Sequence, residues 1–258
     1  MISEKLKLIV KRNVAFDSNA YIVLKKIWIA SKNVVDFFFF KVKYPKAKWY
    51  SKFYSSGHSW SQYGQDQLIL SLFNDDELFY VEIGANHPTR LNNSFLLEKN
   101  GWRGVSIDPL KKYIDEWCEV RLQPFVNVAI GRMSETRTFV EFSGVEDWID
   151  MMSGFEEFIR EEDYLTFESE SYPIEVKRLE EVIEVDKIDL LLMDVEGAEM
   201  EILSGIDFDR LNPSYILIEN ASEIGGGLEV RRELERKSYR LIARIGCADD
   251  LFEYYTNE

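Results

Sequence analysis

Beyond residue 61 the chain is a succession of short apolar runs separated by polar turns. Leu78 to Ile83 (LFYVEI) reads as a buried strand, with a loop at Gly84 to Arg90 after it. The stretch near Asn93 to Asn100 predicts a helix stopped by Gly101, where a helix C-terminus favours glycine. A strand at Gly104 to Ile107, a helix over about Leu110 to Arg121 and a strand at Phe125 to Ile130 continue the rhythm. Arg137 to Phe142 alternates as a further strand would, and Ile188 to Met193 and Tyr215 to Ile218 are the most apolar runs of their kind. Alternating strands and helices imply parallel pairing through crossovers. Continuously apolar strands imply a sheet covered on both sides. The expectation is an α/β domain over residues 61–258, with a mostly parallel sheet and helices on both faces.

Two segments depart from this rhythm. Residues 1–60 hold an apolar-rich stretch, Tyr21 to Phe40, and then a lysine and aromatic mixture from Lys41 to Tyr54. They read as a basic, aromatic-rich helical extension of one or two amphipathic helices. This extension is a cap on the domain, a contact for an anionic membrane surface or a lipid-linked phosphate, or an oligomer contact. Residues 141–170 carry 11 acidic residues against the single Arg160, interleaved with Phe142, Trp148, Phe155, Phe158, Tyr164 and Phe167. This insertion is either a solvated acidic helix with an aromatic stripe or a lid that shapes an acceptor pocket.

Charge sharpens the division. Met1 to Trp60 has 12 Lys and Arg against 3 Asp and Glu, so +9, whereas the remainder has 19 against 43, so −24. So acidic a body argues against nucleic acid, which requires clustered cations. The chain has no apolar run near the ~20 residues that span a bilayer. Lys5, Lys7, Lys11 and Arg12 break up the apolar residues of a would-be signal peptide. Cys118 and Cys247 have neither disulfide-framework nor zinc spacing. His58, beside Gly57 and Trp60, reads as structural. A cytoplasmic protein is expected, or one peripheral to a membrane.

The candidate chemistry begins at VEIGANHP, Val81 to Pro88. A strand that ends in an acidic residue and then Gly84 and Ala85 lets backbone approach a ligand at the carboxyl end of the sheet. Asp108 ends the next strand, twenty-four residues after Gly84. That is near the ~20-residue offset at which a carboxylate grips ribose hydroxyls. His87, Pro88 and Arg90 replace the glycines that a pyrophosphate-binding loop requires, which argues against a nicotinamide dinucleotide. Adenosylmethionine carries no phosphate and tolerates this loop.

These segments resemble a known family. SQYGQD (Ser61 to Asp66), VEIGAN, GWRGVSIDP (Gly101 to Pro109), NVAIG (Asn127 to Gly131), KRLEEVI (Lys177 to Ile183) and IDLLLMDVEGAEMEILSG (Ile188 to Gly205) are similar, in order, to the FkbM-type methyltransferases. DVEGAE is the most specific element, and residues 1–60 are not covered. The resemblance implies a class I methyltransferase fold, Rossmann-like, and S-adenosyl-L-methionine-dependent O-methylation of a saccharide, glycan or related small metabolite. It further implies that Glu82, Gly84, Ala85 and Asn86 surround the amino-acid end of the cofactor, with Asp108 at the ribose. Asn127, Val128 and Ala129 would lie near the adenine, and Ser61 and Gln62 would close over the cofactor.

Methyl transfer to a hydroxyl needs alignment and removal of a proton. Asp194 and Glu196, at the end of the fourth strand, are candidate bases, with His87 an alternative. Glu196 could instead sit in the first turn of the following helix. Asp194 with Glu219 and Asn220, at the ends of adjacent strands, forms a candidate Mg²⁺ site similar to that of catechol-type O-methyltransferases. The rival from another class is a non-catalytic binding or scaffold protein that keeps the fold and docks through its basic arm.

Overall fold

A computed structural model describes residues 34–55, 57–73, 78–220, 227–246 and 248–255. The start of the apolar stretch at Tyr21, and Cys247, lie outside these residues. The chain divides into two units, Met1–Ala47 with Ser222–Gly226, and Lys48–Ala221 with Gly227–Glu258. In the first, residues 34–43 are helical, and Lys41 Nζ donates to Ala47 O at 2.8 Å in the turn that follows.

The second unit is built on an eight-stranded sheet. Its strands are β1 (Lys48–Tyr50), β2 (Phe79–Ile83), β3 (Arg103–Ile107), β4 (Phe125–Val126), β9 (Leu190–Met193), β10 (Tyr215–Glu219), β11 (Tyr239–Ile245) and β12 (Asp249–Tyr254). The order across the sheet is β1-β11-β12-β10-β9-β2-β3-β4. The sheet is mixed. β10, β9, β2, β3 and β4 pair in parallel, whereas β12 runs antiparallel to both β10 and β11. The apolar runs account for the centre, since all four residues of β9 are buried and β2 and β10 bury most of theirs. Tyr80, Leu190, Leu192 and Leu217 pack with Leu68, Leu97, Trp102 and Leu251 in one core cluster.

β1 lies within the second unit and pairs with β11, Lys48 opposite Ala243. The body thus begins ahead of the boundary that composition places at residue 60, because charge and backbone pairing change at different points. The run Phe125 to Ile130 is interrupted rather than continuous. β4 joins the main sheet, and β5 (Ala129–Ile130) enters a second sheet with β6 (Glu135–Ser143), β7 (Gly154–Phe155) and β8 (Glu168–Lys177). β6 and β8 form a long antiparallel ribbon, from Glu135 opposite Val176 to Ser143 opposite Glu168. The acidic insertion is the loop of that ribbon. It contains short turns and the four-residue helix Glu161–Tyr164, not one long acidic helix, over a cluster of Val140, Phe142 and Ile149.

Register positions the site. Ile107, Ile83, Met193 and Ile218 lie in one row across β3, β2, β9 and β10. The next residues along those strands are Asp108, Gly84, Asp194 and Glu219, and Asp249 stands opposite Glu219. Four parallel strands therefore deliver three carboxylates and one glycine turn to a single edge.

Candidate active site

A cavity of about 500 Å³ opens at that edge. Gln62, Glu82, Gly84, Ala85, Asn86, Asp108, Ala129, Asp194, Glu196 and Glu219 line it, as do Gln65, Arg90, Asn93, Asp150 and Asp249.

The turn after β2 requires glycine. Gly84 has φ +82, and a Cβ there would lie 1.6 Å from the carbonyl oxygen of Asp194. Asn86, also left-handed at φ 46, donates its backbone N–H to Asp108 Oδ2 at 2.9 Å, and Leu110 N–H donates to Oδ1 at 2.8 Å. The glycine turn and the strand-end carboxylate therefore meet directly. Burial, above all, raises the Asp108 carboxyl to about 6 despite these two bonds.

Glu82 braces the floor. Its Oε2 accepts from Ser94 Oγ at 2.6 Å, Ser106 Oγ at 3.0 Å and Asn92 Nδ2 at 3.4 Å, and burial raises its pKa. Behind it Arg121 is buried with Nε 2.6 Å from Glu98, and it also donates to Pro88 O, Asn92 Oδ1, Tyr80 Oη and Ser94 Oγ. Arg121 thereby ties the far end of the loop to the sheet.

Three buried polar atoms of cavity-lining residues have no partner among the described residues: Asn86 Oδ1, Asn93 Oδ1 and Arg90 Nε. Two are acceptors and one is a cationic donor. Leaving such groups dry and unpaired is costly. Amide oxygens pair with an ammonium and a guanidinium with a carboxylate, the two charged groups of an α-amino acid. Arg90 is held by Tyr113 Oη at 3.1 Å and Asp150 Oδ1 at 3.5 Å. Asp150, from the acidic insertion, also receives Lys112 Nζ at 2.6 Å and Tyr113 Oη at 2.5 Å. Burial pushes the Asp150 carboxyl up, but Lys112 and Tyr113 outweigh it and hold the group below its ordinary range. With Trp148, Met151, Met152 and Phe155, the insertion forms one wall.

At the other wall the carboxyl groups crowd together. One oxygen each from Asp194, Glu196 and Glu219 lies within 4.8 Å of the others. Burial, then the charge of Glu199, raises Asp194 to about 7, and Asp194 also shares a hydrogen bond with Glu219. The charge of Asp194, then burial, pushes Glu219 up to about 11, so this pair holds a proton between its two oxygens at neutral pH. Glu196 is raised to about 8, first by burial and then by Asp194. Its side chain makes no hydrogen bond among the described residues. Asp249 is raised to about 8 by burial and by Asp194, and it accepts from Gln65 Nε2 at 2.8 Å.

Several expected positions lie elsewhere. His87 does not line the cavity. Its Nδ1 accepts from the N–H groups of Thr89 and Arg90, Nε2 faces Glu116 at 3.3 Å, and burial lowers its pKa. It shapes the loop with the lone pair that a base would use. Asn220 donates to Asp250 Oδ2 at 2.6 Å and to Gly227 O, within a buried network that also holds Arg231 and Arg244. Glu196 takes its place beside Asp194 and Glu219. Glu196 precedes the helix Glu199–Gly205 in a left-handed turn (φ 50), and Glu199 caps that turn by accepting from Val195 and Gly197 N–H. Ser61 Oγ donates to Asp66 Oδ1 at 2.7 Å, and Asn127 Nδ2 donates to Asp108 O at 2.9 Å; neither lines the cavity, nor does Val128.

Arg90, Asn93, Asp150, Gln65 and Asp249 are among the cavity residues that sequence reasoning missed. Arg90 and Asn93 were within reach, as a cation and an amide in the loop after the glycine turn.

Residues 82–241 match the family model of the methyltransferase FkbM domain. The chain belongs to the FkbM methyltransferase family. No curated protein matches it closely. The FkbM match starts at Glu82, the first cavity residue of β2, and ends within β11.

Proposed function

We propose that this FkbM methyltransferase binds S-adenosyl-L-methionine in the cavity at the carboxyl edge of a Rossmann-like, class I sheet. We further propose that it methylates a hydroxyl of a saccharide, glycan or related small metabolite. The observation that carries the reading is the set of unpaired atoms, Asn86 Oδ1, Asn93 Oδ1 and Arg90 Nε, beside the bonded pair of Asn86 and Asp108. In this reading the first three hold the amino-acid end of the cofactor. Asp108, which keeps unused lone pairs on both oxygens, accepts the ribose hydroxyls. Leu110, Ala129 and Ile130 offer an apolar surface for the base. When bound, adenosylmethionine supplies a methyl group activated by a positively charged sulfur.

The chain's own groups do the rest. Trp148, Met151, Met152 and Phe155 flank the acceptor and exclude water. Glu196 takes the hydroxyl proton on a carboxylate oxygen. Its pKa near 8 makes it a far stronger base than an exposed glutamate, and it has no competing hydrogen bond. Asp194 and Glu219, with their shared proton, keep the pocket from carrying a third full charge.

The proximity of three carboxylates favours a second reading of the same wall. Hard oxygen donors suit Mg²⁺, which Asp194, Glu196 and Glu219 would hold. Such an ion would acidify the acceptor hydroxyl.

Calorimetric titration with adenosylmethionine tests the first reading. Wild type should bind, and Arg90→Met and Asp108→Ala should each weaken binding by about tenfold or more. Absence of binding, or unchanged affinity in both variants, favours the scaffold alternative. Mass spectrometry on a panel of glycans and hydroxylated metabolites, with Mg²⁺ or chelator, identifies the acceptor and separates the two roles of the acidic wall.

A further inference from the structure

The helix at residues 34–43 leaves most of its apolar side chains exposed. Val34, Val35, Phe37, Phe38, Phe39 and Val42 are exposed, with Phe38 at 63%, Phe39 at 61% and Val42 at 83%. At 3.6 residues per turn all of these but Phe37 share one arc of about 140°. On the same wheel Lys41 and Lys43 stand at its two borders, and the buried Phe40 lies opposite. A helix of a globular protein is arranged the other way, with its apolar stripe covered.

The charge nearby is mainly positive, Asp36 being the one acid of residues 34–46. Lys41, Lys43 and Lys46 follow the arc in sequence, within an arm of +9 on a chain whose remainder is −24. An aromatic arc bordered by lysines suits the plane of a bilayer surface. The rings enter the acyl boundary, and the long lysine stems carry their charge up to the phosphates.

We infer that residues 34–46 dock this methyltransferase on an anionic phospholipid surface. Val35, Phe38, Phe39 and Val42 enter the membrane boundary, and Lys43 and Lys46, both exposed, engage lipid phosphates. The contact is interfacial, since no helix among the described residues is long and apolar enough to cross a membrane.

Co-sedimentation of the full chain with vesicles tests this. Vesicles of equal parts phosphatidylcholine and phosphatidylglycerol should retain the protein, phosphatidylcholine alone should not, and added salt should release it. Each Lys→Gln change at 43 or 46 should weaken partitioning by about fivefold. Phe38→Ser with Phe39→Ser should weaken it by about tenfold or more. The thermal midpoint and the mass from light scattering should stay at wild-type values in both sets. The inference is overturned if anionic vesicles fail to retain the wild type, or if the variants bind as it does. A lower midpoint in the Phe variant overturns it too, by showing that the arc packs on the chain itself. A changed mass does so by showing that it packs on another copy.

Discussion

Asp249→Asn isolates what the crowded carboxylates do to the fold. Asp249 is 5% exposed, opposite Glu219 at the start of β12, with Asp194 nearby. Burial first, and Asp194 second, lift its pKa from 3.8 to about 8. The native state therefore binds a proton between pH 4 and 8 that the unfolded chain has released. Stability from this group is fully present below the unfolded value and is lost as pH rises through the native one. The slope approaches ~1.4 kcal/mol per pH unit, and flattening near the native pKa leaves a loss of about 2 kcal/mol between pH 6 and 8. Asparagine keeps an oxygen for Gln65 Nε2 and cannot ionise. For a chain of this size 2 kcal/mol corresponds to a midpoint difference of about 4–8 °C. Scanning calorimetry of ligand-free protein at constant ionic strength should show the variant gaining on wild type by that amount from pH 6 to pH 8. Parallel curves, or a variant that loses ground as pH rises, would refute the assignment of a strained, proton-holding carboxyl at this position.

Other expectations follow from the same geometry. Gly84→Ala places a Cβ against the Asp194 carbonyl at a positive φ and should cost about 3 kcal/mol or more in denaturant unfolding. Arg121→Met strands the buried Glu98 and should cost about 3–5 kcal/mol, with Glu98→Gln in the same chain recovering part of it. Once an acceptor is in hand, Glu196→Gln should lower the transfer rate by about 10²–10⁴ while leaving adenosylmethionine affinity nearly unchanged. The wild-type rate should climb with pH and level off above about 8, because the base acts in its deprotonated form. A rate that is flat from pH 6 to 9 would remove Glu196 from that role.

Much of the central sheet was legible because its strands are buried on both sides and therefore unmixed with polar residues. Leu190–Met193 and Phe79–Ile83 could hardly be read otherwise. β8 and β11 escaped for the converse reason. ESESYPIEVK is mostly exposed along the ribbon, and YRLIARI carries two arginines, one of them, Arg244, consumed by the buried Asp250. Gly84, Asp108 and Asp194 could be found because strand ends mark one edge of a parallel sheet. Asp249 could not, since it reaches that edge on an antiparallel strand from the far end of the chain. Asn220 and Glu196 show the limit of counting along a strand. A left-handed turn at Glu196 brings one side chain back to the cavity, and a distant aspartate draws the other away.

β1 gives the chain a practical boundary. The FkbM match begins at residue 82, yet Tyr50 O receives Gly246 N–H at 2.9 Å and three residues of β1 line up along β11. A fragment cut to the family limits would shed this outer ribbon and, at its other end, the strand that joins β10 to β11. Both cuts leave bare amide and carbonyl rows, an invitation to stick to neighbouring molecules. Shortened versions for crystallisation or expression should therefore begin before Lys48 and retain Tyr254.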